Sequence, residues 1–301
     1  MKLTLLLFYY LAGMQQLADM SFRFEIATPA FERNLGPTIC FDEAHHNFHT
    51  ADGRYAPFAI LMRDDGYRIE SNTAAFTRES LQGCDVLVIA NPLSSENADW
   101  KKGFPHASAL SKSEIDALYL WIEEGGSLLL IADHPPFSPA VAGLSVVLGA
   151  TPMHTSTVAI PGETDVFHRS DGTLQQHLIV DGRTGEERVE SVATFSGSAF
   201  YLSDKFQPLL VLGPNAYGIT YIRENVPDVP RERLPKYNLS GWAQAGVRSL
   251  GRGRVAILGE ASMCTAQRNE YGPFGFNHPE AGGNPQFCLN LVRWLSRVLK
   301  D

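Results

Sequence analysis

Cysteine is scarce: four residues in 301, at positions 40, 84, 264 and 288, with no C-x-x-C pair among them. That spacing excludes a zinc knuckle and a thioredoxin-like redox pair. Cys40 and Cys288 sit in apolar strand and helix patterns and read as core residues. An oxidising compartment would permit disulfides, but the sequence does not pair them. Positive charge is also short, with 25 Lys and Arg against 33 Asp and Glu and a formal net charge of -8. No basic field is left to neutralise a phosphate backbone, so nucleic acid is not an expected partner. Beyond the first segment, no apolar run approaches the roughly 20 residues of a bilayer span. Catalytic signatures are missing too: there is no G-x-S-x-G elbow, no Walker-type phosphate loop and no H-E-x-x-H. Gly251 and Gly253 precede a strand instead of following one, which does not support a dinucleotide fingerprint.

What is present begins with a signal-like segment over residues 1–20. Lys2 precedes an apolar run from Leu3 to Leu11, followed by the small residues Ala12 and Gly13. The end of this run resembles a bacterial lipoprotein signal, except that Met14 occupies the lipid-accepting position, and a thioether cannot be acylated. The expectation is an exported, periplasmic protein with no membrane span once the signal is removed. The alternative is a cytoplasmic protein with a buried amino-terminal element.

With 44% hydrophobic and 19% charged residues, the remaining chain can build one large core. From residue 38 short apolar runs alternate with amphipathic stretches, the pattern of βαβ units around a parallel sheet. Strands are expected at Thr38 to Phe41, Tyr67 to Glu70, Asp85 to Ala90, Ser127 to Ala132 and Arg254 to Glu260. Helices are expected at Tyr55 to Arg63, Ser111 to Glu124, Pro139 to Leu148 and Pro285 to Leu299. Ser111 and Glu114 form a capping box, and Gly149 is placed to cap the third helix. Between about 151 and 250 turns and β-propensity dominate, with strands at Ser191 to Ser196, Leu209 to Leu212 and Ala216 to Ile222 and a loop at Pro227 to Pro235. This stretch reads as a β-rich insertion into a single α/β domain spanning 21–301.

In open α/β sheets ligands bind outside the carboxyl ends of the strands. There the sequence places Asp42, Glu43, His45, His46 and His49 after the first strand and Asn91 after the third. Asp133 and His134 follow the fourth strand, and Glu260 and Ser262 the last. Three readings compete. A divalent metal could be held by His45 and His49 with Asp42, Asp133 and His134, lowering the pKa of a bound water. Metal-free acid–base chemistry could use His45 or His134 as base, oriented by Asp42, Glu43 or Asp133. Alternatively, these groups simply hydrogen-bond loop backbones.

Several segments together resemble the class I glutamine amidotransferase-like superfamily, and within it the uncharacterised branch grouped as domain of unknown function 4350. They are Asp42-Glu43-Ala44-His45, the Gly125-Gly126 strand ending in Asp133-His134, the Gly253-Arg254-Val255 strand ending in Gly259-Glu260-Ala261, and the helix opened by Asn284-Pro285-Gln286-Phe287. The resemblance covers most of 38–150 and 250–299. It implies a flavodoxin-like, mostly parallel sheet with helices on both faces. Active members carry a cysteine in the sharp turn after a central strand, and here that turn holds Asp133-His134-Pro135. The resemblance therefore implies the fold and the site location but not glutaminase activity. The expected function is a hydrolase acting on a small-molecule or carbohydrate ligand through Asp42, Glu43, His45, Asp133, His134 and Glu260. The alternative is a non-catalytic ligand-binding module that kept the fold.

Overall fold

The computed structural model describes residues 16–99, 106–157, 165–219, 233–270 and 272–300. A nine-stranded sheet organises them. Its strands are β1 (Thr38–Asp42), β2 (Arg68–Asn72), β3 (Val86–Ala90), β4 (Ser127–Ile131), β5 (Ala150–Met153), β6 (Ala199–Leu202), β7 (Gln207–Val211), β8 (Ala243–Leu250) and β9 (Gly253–Leu258). Their spatial order is β2-β1-β3-β4-β9-β8-β6-β5, with β7 also paired to β8.

The runs Val86–Ala90 and Ser127–Ile131 are buried at every position, as uninterrupted apolar strands must be when both sheet faces are covered. The edge strand β2, Arg-Ile-Glu-Ser-Asn, is mostly exposed, and its polar face discourages pairing with another chain.

Helices cover both faces. On one side α1 (Ala56–Asp64) and α5 (Asn284–Leu295) contribute Phe58, Met62, Phe287 and Leu291 to the larger core. On the other side α2 (Lys112–Glu123) and α4 (Ala142–Leu148) contribute Leu118, Ile122, Leu144 and Leu148 to the second. The capping box is present, with Ser111 accepting from the Glu114 amide and Glu114 from that of Ser111.

The helix expected from Pro139 to Leu148 is interrupted. A single turn, α3 (Phe137–Ala140), is separated from α4 at Val141. The Ala140 carbonyl accepts from the Ala109 amide at 2.8 Å and so leaves the helical ladder. Gly149 closes α4 at φ 93°, a conformation open to glycine at little cost.

The sheet is mixed rather than mostly parallel. Parallel pairing joins β2, β1, β3, β4 and β9. Every pairing beyond β9 is antiparallel, because Gly251-Arg252 turns β8 directly back into β9. Four strands from the stretch expected to be a β-rich insertion thus extend the main sheet. The rest forms a small sheet of Ser156–Thr157, Tyr217–Ile219 and Lys236–Asn238, and a ribbon of Asp165–His168 with Ser191–Thr194. Residues 220–222 of an expected strand and 227–232 of the expected loop lie outside the described residues.

Most of the signal-like segment, 1–15, also lies outside them. Its last residues pack into the body: Leu17–Ala18 pair with Ala266–Asn269, and Asp19 accepts from Arg268 and Asn277. Among the described residues no helix is long and apolar enough to cross a membrane. The cysteines pair as Cys40–Cys84 and Cys264–Cys288, chemistry that persists in oxidising compartments.

Candidate functional site

Asp42, Asn91, Asp133 and Glu260 stand just at or beyond the carboxyl ends of β1, β3, β4 and β9, all buried. The parallel half of the sheet brings these four loops together, and their side chains sort into two groups.

The first group is built on His45. Its Nδ1 lies 2.8 Å from Asp42 Oδ1 and its Nε2 lies 2.8 Å from Glu114 Oε1. Burial opposes a charge on the ring, but the bonds and charges of Asp42 and Glu114 outweigh it and raise the His45 pKa. Each ring nitrogen faces a carboxylate oxygen, an arrangement that favours the protonated ring. Burial likewise works against ionised Glu114, yet donors from Ser111, His45 and the Phe76 amide hold it at about 2. Both ring nitrogens of His45 are occupied, leaving neither for a metal or a substrate proton. Glu43 is committed to its own loop, accepting from the Ala51 amide at 2.9 Å. His46 is exposed with φ 46°.

The second group is centred on Asp133 and Glu260. Glu260 is fully buried and accepts from the amides of Ser262 at 2.8 Å and Met263 at 2.7 Å. Those bonds favour its ionised form, but burial and the charge of Asp133 prevail and push Glu260 up to about 8. Asp133 Oδ1 accepts from the His134 amide at 2.7 Å, and Oδ2 from that of Ala261 at 3.4 Å. Neither acid is paired with Lys or Arg among the described residues. At neutral pH Glu260 therefore tends to keep its proton. His134 has 30% of its side chain exposed and its Nε2 lies 3.9 Å from Asp133 Oδ1. Its Nδ1 faces the Pro135 carbonyl at 2.8 Å, an acceptor only, so Nδ1 carries a proton.

Neutral polar residues support the acids. Asn91, at φ 49°, accepts from the Asp133 amide at 2.9 Å and reaches His49 Nδ1 at 3.3 Å through its side-chain nitrogen. Burial and then the charge of Arg54 push His49 down to about 3, keeping it neutral. Its Nε2 faces the Gln267 amide at 3.4 Å, and the Gln267 oxygen, otherwise without a partner, accepts Nε2–H once that amide is turned. Tyr55 donates to the Ala261 carbonyl at 2.7 Å. Its hydroxyl is raised well above its usual range by burial and then by Glu260 and Asp133.

Of the six expected site residues, Asp133, His134 and Glu260 converge, while Asp42, Glu43 and His45 are taken up in structural bonds. The expected metal set of Asp42, His45, His49, Asp133 and His134 is not gathered. Among the described residues no three His, Cys, Asp or Glu side chains converge as a metal site. All four cysteines are in disulfides, so no thiol is available as a nucleophile. Tyr55 and Gln267 carried no sequence signal, since neither lies in a strand-end loop of the parallel pattern.

No family model matches the chain, and no curated protein matches it. Solved structures do. The N-terminal domain of mmIFT52 is similar with a TM-score of 0.58 at 14% identity, covering 86% of this chain and 97% of that one. A protein described as ThuA-like from Bacteroides uniformis is similar with a TM-score of 0.50 at 14% identity, covering 93% of this chain and 96% of that one. At these identities the likeness shows a shared α/β fold and nothing about activity.

Proposed function

We propose that this chain is an exported, amidotransferase-like protein that works without a thiol, as an acid–base hydrolase on a small or carbohydrate-type substrate. The observation that carries the reading is the buried Asp133–Glu260 pair, in which burial and a neighbouring carboxylate keep Glu260 protonated near neutrality. The partly exposed His134 ring would accept a proton from an attacking water, with Asp133, 3.9 Å away, stabilising the imidazolium. The His134 imidazolium would then pass that proton to the departing group, and Glu260, kept neutral, would leave Asp133 as the charged partner of the ring. The order of the parallel strands, second-first-third-fourth-last, supports a flavodoxin-like assignment with the site along its carboxyl edge. The two disulfides support a periplasmic location.

A second reading, a non-catalytic ligand-binding module, is favoured by the structural use of Asp42, Glu43 and His45. A panel of chromogenic esters and glycosides, assayed with the wild type and with Asp133→Asn, separates the two. Turnover that falls about 100-fold or more in the variant supports acid–base chemistry. Absence of turnover across the panel, with retained ligand binding, sinks it in favour of the binding module.

A further inference from the structure

A cavity of about 310 Å³ lies apart from the Asp133–Glu260 pair, between the Asp165–His168 strand and the loop that follows β7. The sheet register places it on the same edge. Val211 in β7 pairs with Ala243 in β8, and Ala245 in β8 pairs with Leu258 in β9, so this loop leaves the sheet where Glu260 does. Two strand spacings, about 10 Å, separate the exits.

The loop is pinned at both ends. The Leu212 amide donates to Trp242 at 2.8 Å, the Ala216 amide closes a turn onto Gly213 at 3.1 Å, and the Leu239 amide donates to Ala216 at 3.0 Å. Pro214 occupies the second position of that turn, which suits its restricted φ. The cavity is thus largely formed in advance of any ligand.

Its lining combines the aromatic rings of Phe167 and Tyr217 with the polar groups of Asp165, Thr173 and Asn215. Lys236 Nζ stands 4.5 Å from the centre of the Tyr217 ring and helps fix it. Among the described residues of the lining, Asp165 is the one charged side chain. Carboxylate, amide and hydroxyl groups beside aromatic rings suit a ligand with several hydroxyls and an apolar C–H face. At this volume it would be a single ring.

We infer that this cavity, lined by Phe167, Tyr217, Asp165, Thr173 and Asn215, is a binding site for an uncharged polyhydroxylated ring of monosaccharide size. It is separate from the Asp133–Glu260 site and does not depend on any chemistry there. Gly213 offers a clean way to close it: an added Cβ meets no atom within 4 Å, and no left-handed φ is required there.

Titration calorimetry and saturation-transfer NMR of the full chain with methyl glucosides and myo-inositol test the inference, with acetate as the anionic control. Binding of at least one neutral probe with a Kd on the order of millimolar or tighter is expected, with acetate silent. Gly213→Leu and, independently, Tyr217→Ala should each weaken it at least about tenfold. Asp133→Asn should leave it unchanged. Failure of every neutral probe to bind overturns the inference. So does binding that survives both cavity variants, or that is lost in Asp133→Asn, which would place the ring at the acid pair instead.

Discussion

His45 Nε2 and Glu114 Oε1 lie 2.8 Å apart although 69 positions separate the two residues in the chain. The contact joins the loop after β1 to the first turn of α2, and the same Glu114 carboxylate closes the capping box with Ser111. One acid therefore both starts a helix and fixes the loop carrying Asp42 and His45. The His45 ring also packs against Phe76 at 4.8 Å, which keeps water from the pair.

Glu114→Ala removes a helix cap and leaves the buried His45 ring with a single carboxylate partner. A loss of about 3 kcal/mol is expected from the cap and the charged hydrogen bond together. Urea unfolding should report it as a lower midpoint with an unchanged slope.

The raised pKa of His45 sets a pH dependence. The folded state holds this proton more tightly than the unfolded chain does. The stabilisation is thus complete below the unfolded value of about 6.5 and is lost as pH rises through the folded value. Thermal melts of the wild type and of His45→Gln should converge as pH rises above neutrality. Curves that stay parallel across that range would show that the ring is not an imidazolium.

Glu260 acts in the same direction for a different reason. Its folded pKa of about 8 lies above the ordinary 4.5, so the folded state keeps a proton the unfolded chain gives up. Stability falls as pH rises from about 4.5 to 8, by a ceiling on the order of 5 kcal/mol. Glu260→Gln should flatten that slope. It should also cost about 1 kcal/mol at low pH, because the new amide group faces an amide donor that the carboxyl had accepted from. A direct readout is the carboxyl carbon resonance of Glu260, which should titrate far above those of surface glutamates.

The Cys264–Cys288 disulfide ties α5 to the turn whose amides bind Glu260 and closes a separation of 24 residues. Replacing both cysteines with Ala should cost about 3 kcal/mol. Faster hydrogen exchange at the Ser262 and Met263 amides should accompany the loss, since these lie in the released turn. Unchanged protection there would show that the turn is held by Asn284, which donates to the Met263 carbonyl at 3.0 Å.

Arg293 has a fully buried side chain bonded to Asp65 at 2.6 Å and 2.8 Å and to Glu187 at 2.9 Å. Arg293→Met should destabilise by about 3–5 kcal/mol, because two buried carboxylates lose their cation. Adding Asp65→Asn and Glu187→Gln should recover part of that loss in a denaturation series.

The strand ends that matter were readable from residue order. Val86–Ala90 and Ser127–Ile131 can only be buried strands, and the polar residues following such runs must lie at the sheet edge where ligands bind. Residue order alone thus locates Asn91, Asp133 and Glu260. It could not tell which acids would be free for chemistry. Asp42, Glu43 and His45 carry the same side chains as a catalytic cluster, and only the position of α2 shows that Glu114 claims the His45 ring.

Amino-acid order alone determined the parallel half of the sheet, the Ser111–Glu114 cap and the absence of a C-x-x-C pair, since each rests on local periodicity or spacing. Tertiary structure decided which cysteines bond, that β5 to β8 extend the main sheet, that Leu17 and Ala18 belong to the body, and that Asp133 raises the Glu260 pKa. These outcomes depend on distances between residues far apart in the chain. Burial, charge coupling and strand pairing act through space, and residue order alone does not specify them.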